Sequence, residues 1–281
     1  MFIPIYCVLK VILVIKRVVL KCFMILIVMI GVICVANVDH SNAEELHHPD
    51  SLVGSPVKTS DCMWRVTEDN VLFIWPANGS SGILPNNVDS LSAYWPWYGH
   101  RTTVVKAVVE PGVFGPSGSL GSMFYGFSAL VDVDLSGLDT RNVTDMRCLF
   151  GCCSSLTYLD LSCLNTMNVT NMGSMFSDCS RLVGLDLSNF NTSKVTRMGS
   201  MFRNCLGLEH LDLSNFDTSN VNIMVNMFRS CSGLRMLNIF SFDTGNVTDM
   251  SGIFYECRFL REVVLGPSFS FKSSVALPTP G

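Results

Sequence analysis

Histidine is scarce in this chain, charge is thin, and the usual catalytic signatures are missing. Of five histidines, His40, His47 and His48 fall in an N-terminal leader and linker region, which leaves only His100 and His210. No Ser-His-Asp order, phosphate-cradling glycine loop or zinc-binding helix motif is found. Charged residues make up 15% of the chain and the formal net charge is −4, which excludes an electrostatic nucleic-acid face. Tryptophan is confined to one stretch, at Trp64, Trp75, Trp95 and Trp97. Cysteine is plentiful at 12 residues, yet no C-x-x-C pair answers a second one at zinc-site spacing. The expectation is a protein that is not an enzyme and carries no cofactor and no metal.

What is present is a 26-residue period. A Met-Phe pair or its variant begins at Met123, Leu149, Met175, Met201, Met227 and Ile253. Twelve residues after it stand Leu135, Leu161, Leu187, Leu213, Ile239 and Leu265. A fixed period of this length marks a stack in which each unit buries its apolar face against its neighbours. Within one unit, Met172, Met175, Phe176, Cys179 and Leu182 follow helical spacing, with Thr170 at the N-cap place. Leu182, Leu185 and Leu187 then form L-x-x-L-x-L, the leucine-rich-repeat strand pattern. The expected fold is α/β: a leucine-rich-repeat solenoid of six strand-turn-helix units over residues 119–266. A β-rich cap covers residues 62–118, and residues 267–281 form a C-terminal tail.

Five cysteines, Cys153, Cys179, Cys205, Cys231 and Cys257, share one repeat position, held by Phe127 in the first unit. Phenylalanine in the same slot points to a small apolar core site. Asp134, Asp160, Asp186 and Asp212 form an outward ladder with Ser136, Ser162, Ser188 and Ser214 two residues on. Bonding to backbone or serine is expected there, with calcium bridging as the alternative.

Residues 1–43 carry Lys10, Lys16, Arg17 and Lys21 before the uncharged run Cys22 to Ala36, followed by small residues. That layout describes a cleaved export signal, with a mature start between about Asn37 and Glu44. The alternative is an uncleaved segment that attaches the protein to a membrane. Residues 44–61 form a polar linker. In the cap, Met63 to Thr67, Val71 to Trp75 and Thr103 to Val109 have strand character. Two roles are open for its aromatics: covering the first unit, or presenting Trp95, Trp97 and Tyr98 as an exposed platform for sugar rings.

Segments such as MFSDCSRLVGLDLSNFNTSKVTRM and LDLSNFDTSNV resemble the BspA-like leucine-rich-repeat surface proteins of bacteria. The resemblance covers roughly residues 62–279. It implies a secreted or surface-exposed protein used in adhesion, binding a protein on a host or neighbouring cell. The chain departs from that family's L-P-x-T-G wall signal at Leu277-Pro278-Thr279-Pro280-Gly281. Binding specificity is expected at the outward positions eight and nine residues after the marker, which differ from unit to unit. Tyr158, His210, Arg235 and Met236 are the candidates for a protein-binding patch, because interface hot spots favour aromatic residues and arginine. Trp95 and Trp97 are the candidates for a glycan site in the alternative.

Overall fold

The computed structural model describes residues 57–87 and 95–272. The expected export segment (1–43), the start of the linker and residues 273–281 of the tail lie outside the described residues. The structure opens with β1 (Val57–Thr59), β2 (Cys62–Val66) and β3 (Val71–Pro76), paired antiparallel. Thr67 to Asn70 make the turn between β2 and β3: the Thr67 hydroxyl accepts the Val71 N–H at 3.1 Å. β5 (Lys106–Val109) then pairs parallel to β3, and β7 (Asp132–Asp134) parallel to β5, so the cap sheet runs on into the repeats. Lys106 pairs with Asp132, one 26-residue step later. The repeat register therefore begins at Val104, Ala107 and Val109, all buried in the manner of Leu130, Val133 and Leu135.

Two further ladders complete the stack. β4 (Gly82–Ile83), β6 (Val113–Phe114) and β8 (Leu138–Asp139) form a second parallel sheet. β9 (His210–Asp212), β10 (Met236–Ile239) and β11 (Glu262–Leu265) form a third. The equivalent segments near Tyr158 and Gly184 have no regular strand, though the Val183 N–H still bonds the Thr157 carbonyl at 3.2 Å. Gly184 sits in this stretch, and glycine weakens a strand interior. The arrangement is leucine-rich-repeat-like.

The helix half of each unit is corrected. Among the described residues there is no α-helix, and the one helical element is the 3-10 turn Tyr98–His100. The Met-Phe segments are chained β-turns. The Met175 N–H bonds the Met172 carbonyl and the Cys179 N–H the Phe176 carbonyl, each three residues back at 3.2 Å. Their third places, Ser174 and Asp178, have φ of 56° and 63°, the left-handed geometry a type II turn demands. Ser200 and Asn204, or Cys148 and Cys152, do the same in neighbouring coils. The N–H between the turns points along the stack. Phe124, Phe150, Phe176, Phe202 and Phe228 donate to carbonyls 25 residues on, at 2.9–3.1 Å. Thr170 is no helix cap: its hydroxyl and its N–H both bond the Thr144 carbonyl of the preceding coil.

Columns of identical side chains fill the core. Phe124, Phe150, Phe176, Phe202, Phe228 and Phe254 stack nearly parallel at 5.7–6.0 Å. The five ladder cysteines are free and buried. Each thiol donates to the carbonyl of a phenylalanine 29 residues back at 2.9–3.1 Å. Burial pushes Cys179 and Cys257 up to about 12. Thr140, Thr166 and Thr218 form a buried hydroxyl column; each donates to a carbonyl in the next coil and accepts an N–H from it. These bonds satisfy backbone groups that would be costly to bury unpaired. The leucine positions are buried in the middle coils, with Leu185 half-buried. Leu265, expected in the core, is 41% exposed because no further described coil covers it.

Candidate functional site

The outward strand face is built by the residues that alternate with the buried leucines. In the described strands Met236 pairs with His210 on one side and Glu262 on the other. His210 and Met236 are thus immediate neighbours, about 4.8 Å apart along the stack by strand spacing. Arg235 stands beside Met236 and its guanidinium pairs with Glu209 at 3.5 Å. Tyr158 lies in the same column but two coils from His210, with Gly184 between them. Tyr158 is 72% exposed and Met236 40%. The face brings His210, Arg235 and Met236 together and sets Tyr158 apart. Val131 and Val183, each 52% exposed, add apolar surface on the neighbouring column.

The aspartate ladder borders this patch, and its geometry is local. Asp134, Asp160, Asp186 and Asp212 each accept the N–H two residues on, at 2.9–3.0 Å. Hydrogen bonds from Ser162, Ser188 and Ser214 hold Asp160, Asp186 and Asp212 below the usual carboxylate range. Among the described residues no group of three metal-ligating side chains gathers. The carboxylates are turn-fixing groups.

Trp95 and Trp97 are not on any surface. They are 3% and 0% exposed and stack on each other at 5.2 Å. Their indole N–H groups donate to the Gly121 and Met123 carbonyls, both at 3.0 Å and both 26 residues on. In the inner coils such carbonyls take a backbone N–H from the coil before; here the indoles stand in for it. The exposed sugar platform is therefore corrected to a lid on the first coil.

Three comparisons bear on the chain. A family model described as "Mycoplasma protein of unknown function, DUF285" matches residues 118–211 and again 183–265, together more than half of the sequence. No curated protein matches it. Among solved structures, the Treponema pallidum (T. pallidum) leucine-rich-repeat protein TpLRR is 21% identical, with a TM-score of 0.41 over 70% of this chain and 86% of that one. A leucine-rich repeat protein from Eubacterium ventriosum is 15% identical, TM-score 0.22, over 76% and 86%. A leucine rich cell surface protein from Faecalibacterium prausnitzii is 10% identical, TM-score 0.18, over 78% and 96%. At these scores the fold description rests on the hydrogen-bond ladder of this chain itself.

Proposed function

The chain belongs to the DUF285 family, and we propose that it is a non-catalytic binding protein whose six-unit stack presents one partner-binding face. The partner is a protein, on a host or neighbouring cell surface or in its matrix, and the role is adhesion. Exported placement, secreted or held at a membrane by residues 1–43, belongs to the same proposal. The observation that carries it is the contrast on the strand face. Core columns repeat almost unchanged, while the outward column runs Asp132, Tyr158, Gly184, His210, Met236, Glu262. Variation on a fixed scaffold alters recognition without altering packing. Tyr158, Arg235 and Met236 supply the aromatic, guanidinium and flexible apolar groups that dominate protein interfaces.

The test is combined replacement of Tyr158, His210 and Arg235 by Ala. All three are exposed, so the melting temperature stays within a few degrees. Adhesion of the purified chain to immobilised matrix extract is expected to be lost. Unchanged adhesion would remove this face from the function.

A further inference from the structure

A cleft lies away from the strand face, where the cap meets the first coil. It encloses about 920 Å³, within the usual range for small-molecule sites. One wall is the loop from Asn78 into β4, the other is the segment after β6, and Asn142 of the first coil closes one side. We propose that this cleft binds a neutral carbohydrate of two or three sugar units.

The walls are preformed. A Cβ at Gly82 would collide with the Asp61 carbonyl oxygen, and Gly112, at φ +87°, lies as tightly against the Ser80 carbonyl. Only glycine lets these strands approach so closely. Two carboxamides are fixed through their oxygens. Asn78 Oδ1 accepts the Ser80 and Ser81 N–H groups at 2.9 and 2.8 Å. Asn86 Oδ1 accepts the Ser119 N–H at 2.7 Å. Each keeps its NH2 as a donor in a held orientation.

Asn142 departs from its own column. Asn168, Asn220 and Asn246 each donate their side-chain amide to a carbonyl 27 residues back, at 2.7–2.8 Å. Asn142 makes no such bond among the described residues, and it lines the cleft instead. The lining therefore offers several carboxamides and the hydroxyls of Ser81 and Ser117, beside an apolar patch of Ile83, 50% exposed, and half-buried Phe114. Carboxamides donate and accept from one group, which suits the neighbouring hydroxyls of a sugar ring. The apolar patch suits its C–H face. Lys58 and Asp61 bring opposite charges to the same rim, which disfavours a strongly charged ligand.

The site is independent of the strand face. The experiment is titration calorimetry of the full chain with maltotriose, cellotriose and chitotriose, with a sulfated disaccharide as the charged comparison. One of the neutral trisaccharides is expected to bind. Asn142→Ala should weaken that binding by roughly tenfold, about the worth of one lost hydrogen bond. Ser81→Trp, which fills the cleft from an exposed loop, should abolish it without changing the melt. No heat from any trisaccharide at millimolar concentration, binding that survives Ser81→Trp, or preference for the sulfated sugar would each overturn the proposal.

Discussion

At its N-terminal end the stack meets a two-layer cover, and at the C-terminal limit of the described residues it meets only the short segment that carries Phe269 and Phe271. Trp95 and Trp97 lie over the first coil and donate to its carbonyls, while β2 and β3 continue its sheet antiparallel and then parallel. At the other end Leu265, Phe259 and Phe271 are 41%, 55% and 42% exposed. β11 there has a described partner, β10, on one side. Each coil in such an array depends on its neighbours alone, so among the described residues the two ends differ in cover although the coils differ little in sequence. The capped end holds its first coil between two layers. The last described coil is held by its neighbour on one side and, on the other, by little more than Phe269 and Phe271.

The largest expected effect comes from the thiol column, which runs from the interior to the weaker end. Burial raises Cys153, Cys179, Cys205, Cys231 and Cys257. A raised pKa means the stabilisation is complete below the unfolded value of about 8.5 and is lost as pH climbs toward the folded value. Each thiol that stays protonated in the fold costs about 1.4 kcal/mol of stability per pH unit in that window. Melting temperature should fall steeply above about pH 8.5. Thiol labelling in the same window should modify Cys257 before Cys205, because local opening starts where packing is one-sided. Uniform labelling of all five would break the comparison of the ends.

Next in size is the lid itself. Trp97→Ala removes a fully buried ring and should cost about 3–5 kcal/mol, as for other large core truncations; chemical denaturation measures it. A cost below about 1 kcal/mol, the range of ordinary surface changes, would mean the tryptophans cover nothing of consequence. The smallest effect is a paired measurement. Leu211→Ala, at 3% exposure in the middle, should cost about 2–5 kcal/mol. Leu265→Ala at the open end should cost under about 1 kcal/mol. Equal losses would show that the last coil is as firmly held as the middle.

Much of the stack was legible in the residues. The 26-residue period, the L-x-x-L-x-L core and the cysteine slot are direct consequences of repeated burial, and one side chain per unit reports each of them. The helix was misread because Met172, Met175, Phe176 and Cys179 satisfy two geometries at once. Chained turns bring every third or fourth residue inward just as a helix does. The deciding signal sat at the third place of each turn. Ser122 and Gly126, Ser200 and Asn204, Asn226 and Ser230 are small or amide residues that tolerate left-handed backbone, and they recur four apart. Of the two roles open for the tryptophans the cover is the one found, and the choice was hidden because a ring's exposure depends on what lies against it in the fold. The cap cleft was illegible for a related reason: Asn142 is far in sequence from Asn78 and Asn86, and only folding brings it to the same cleft.

The offset of 25 to 27 residues between donor and acceptor makes length itself a quantised property of this molecule. One residue inserted inside a coil breaks the register of every donor and acceptor that span it and turns buried side chains of that coil outward. A whole unit copied or deleted leaves every remaining pairing intact. Recombination between tandem copies that keeps the 26-residue frame can therefore lengthen or shorten the protein without redesigning it. The reach of its strand face is set by gene duplication, and only the character of that face by point mutation.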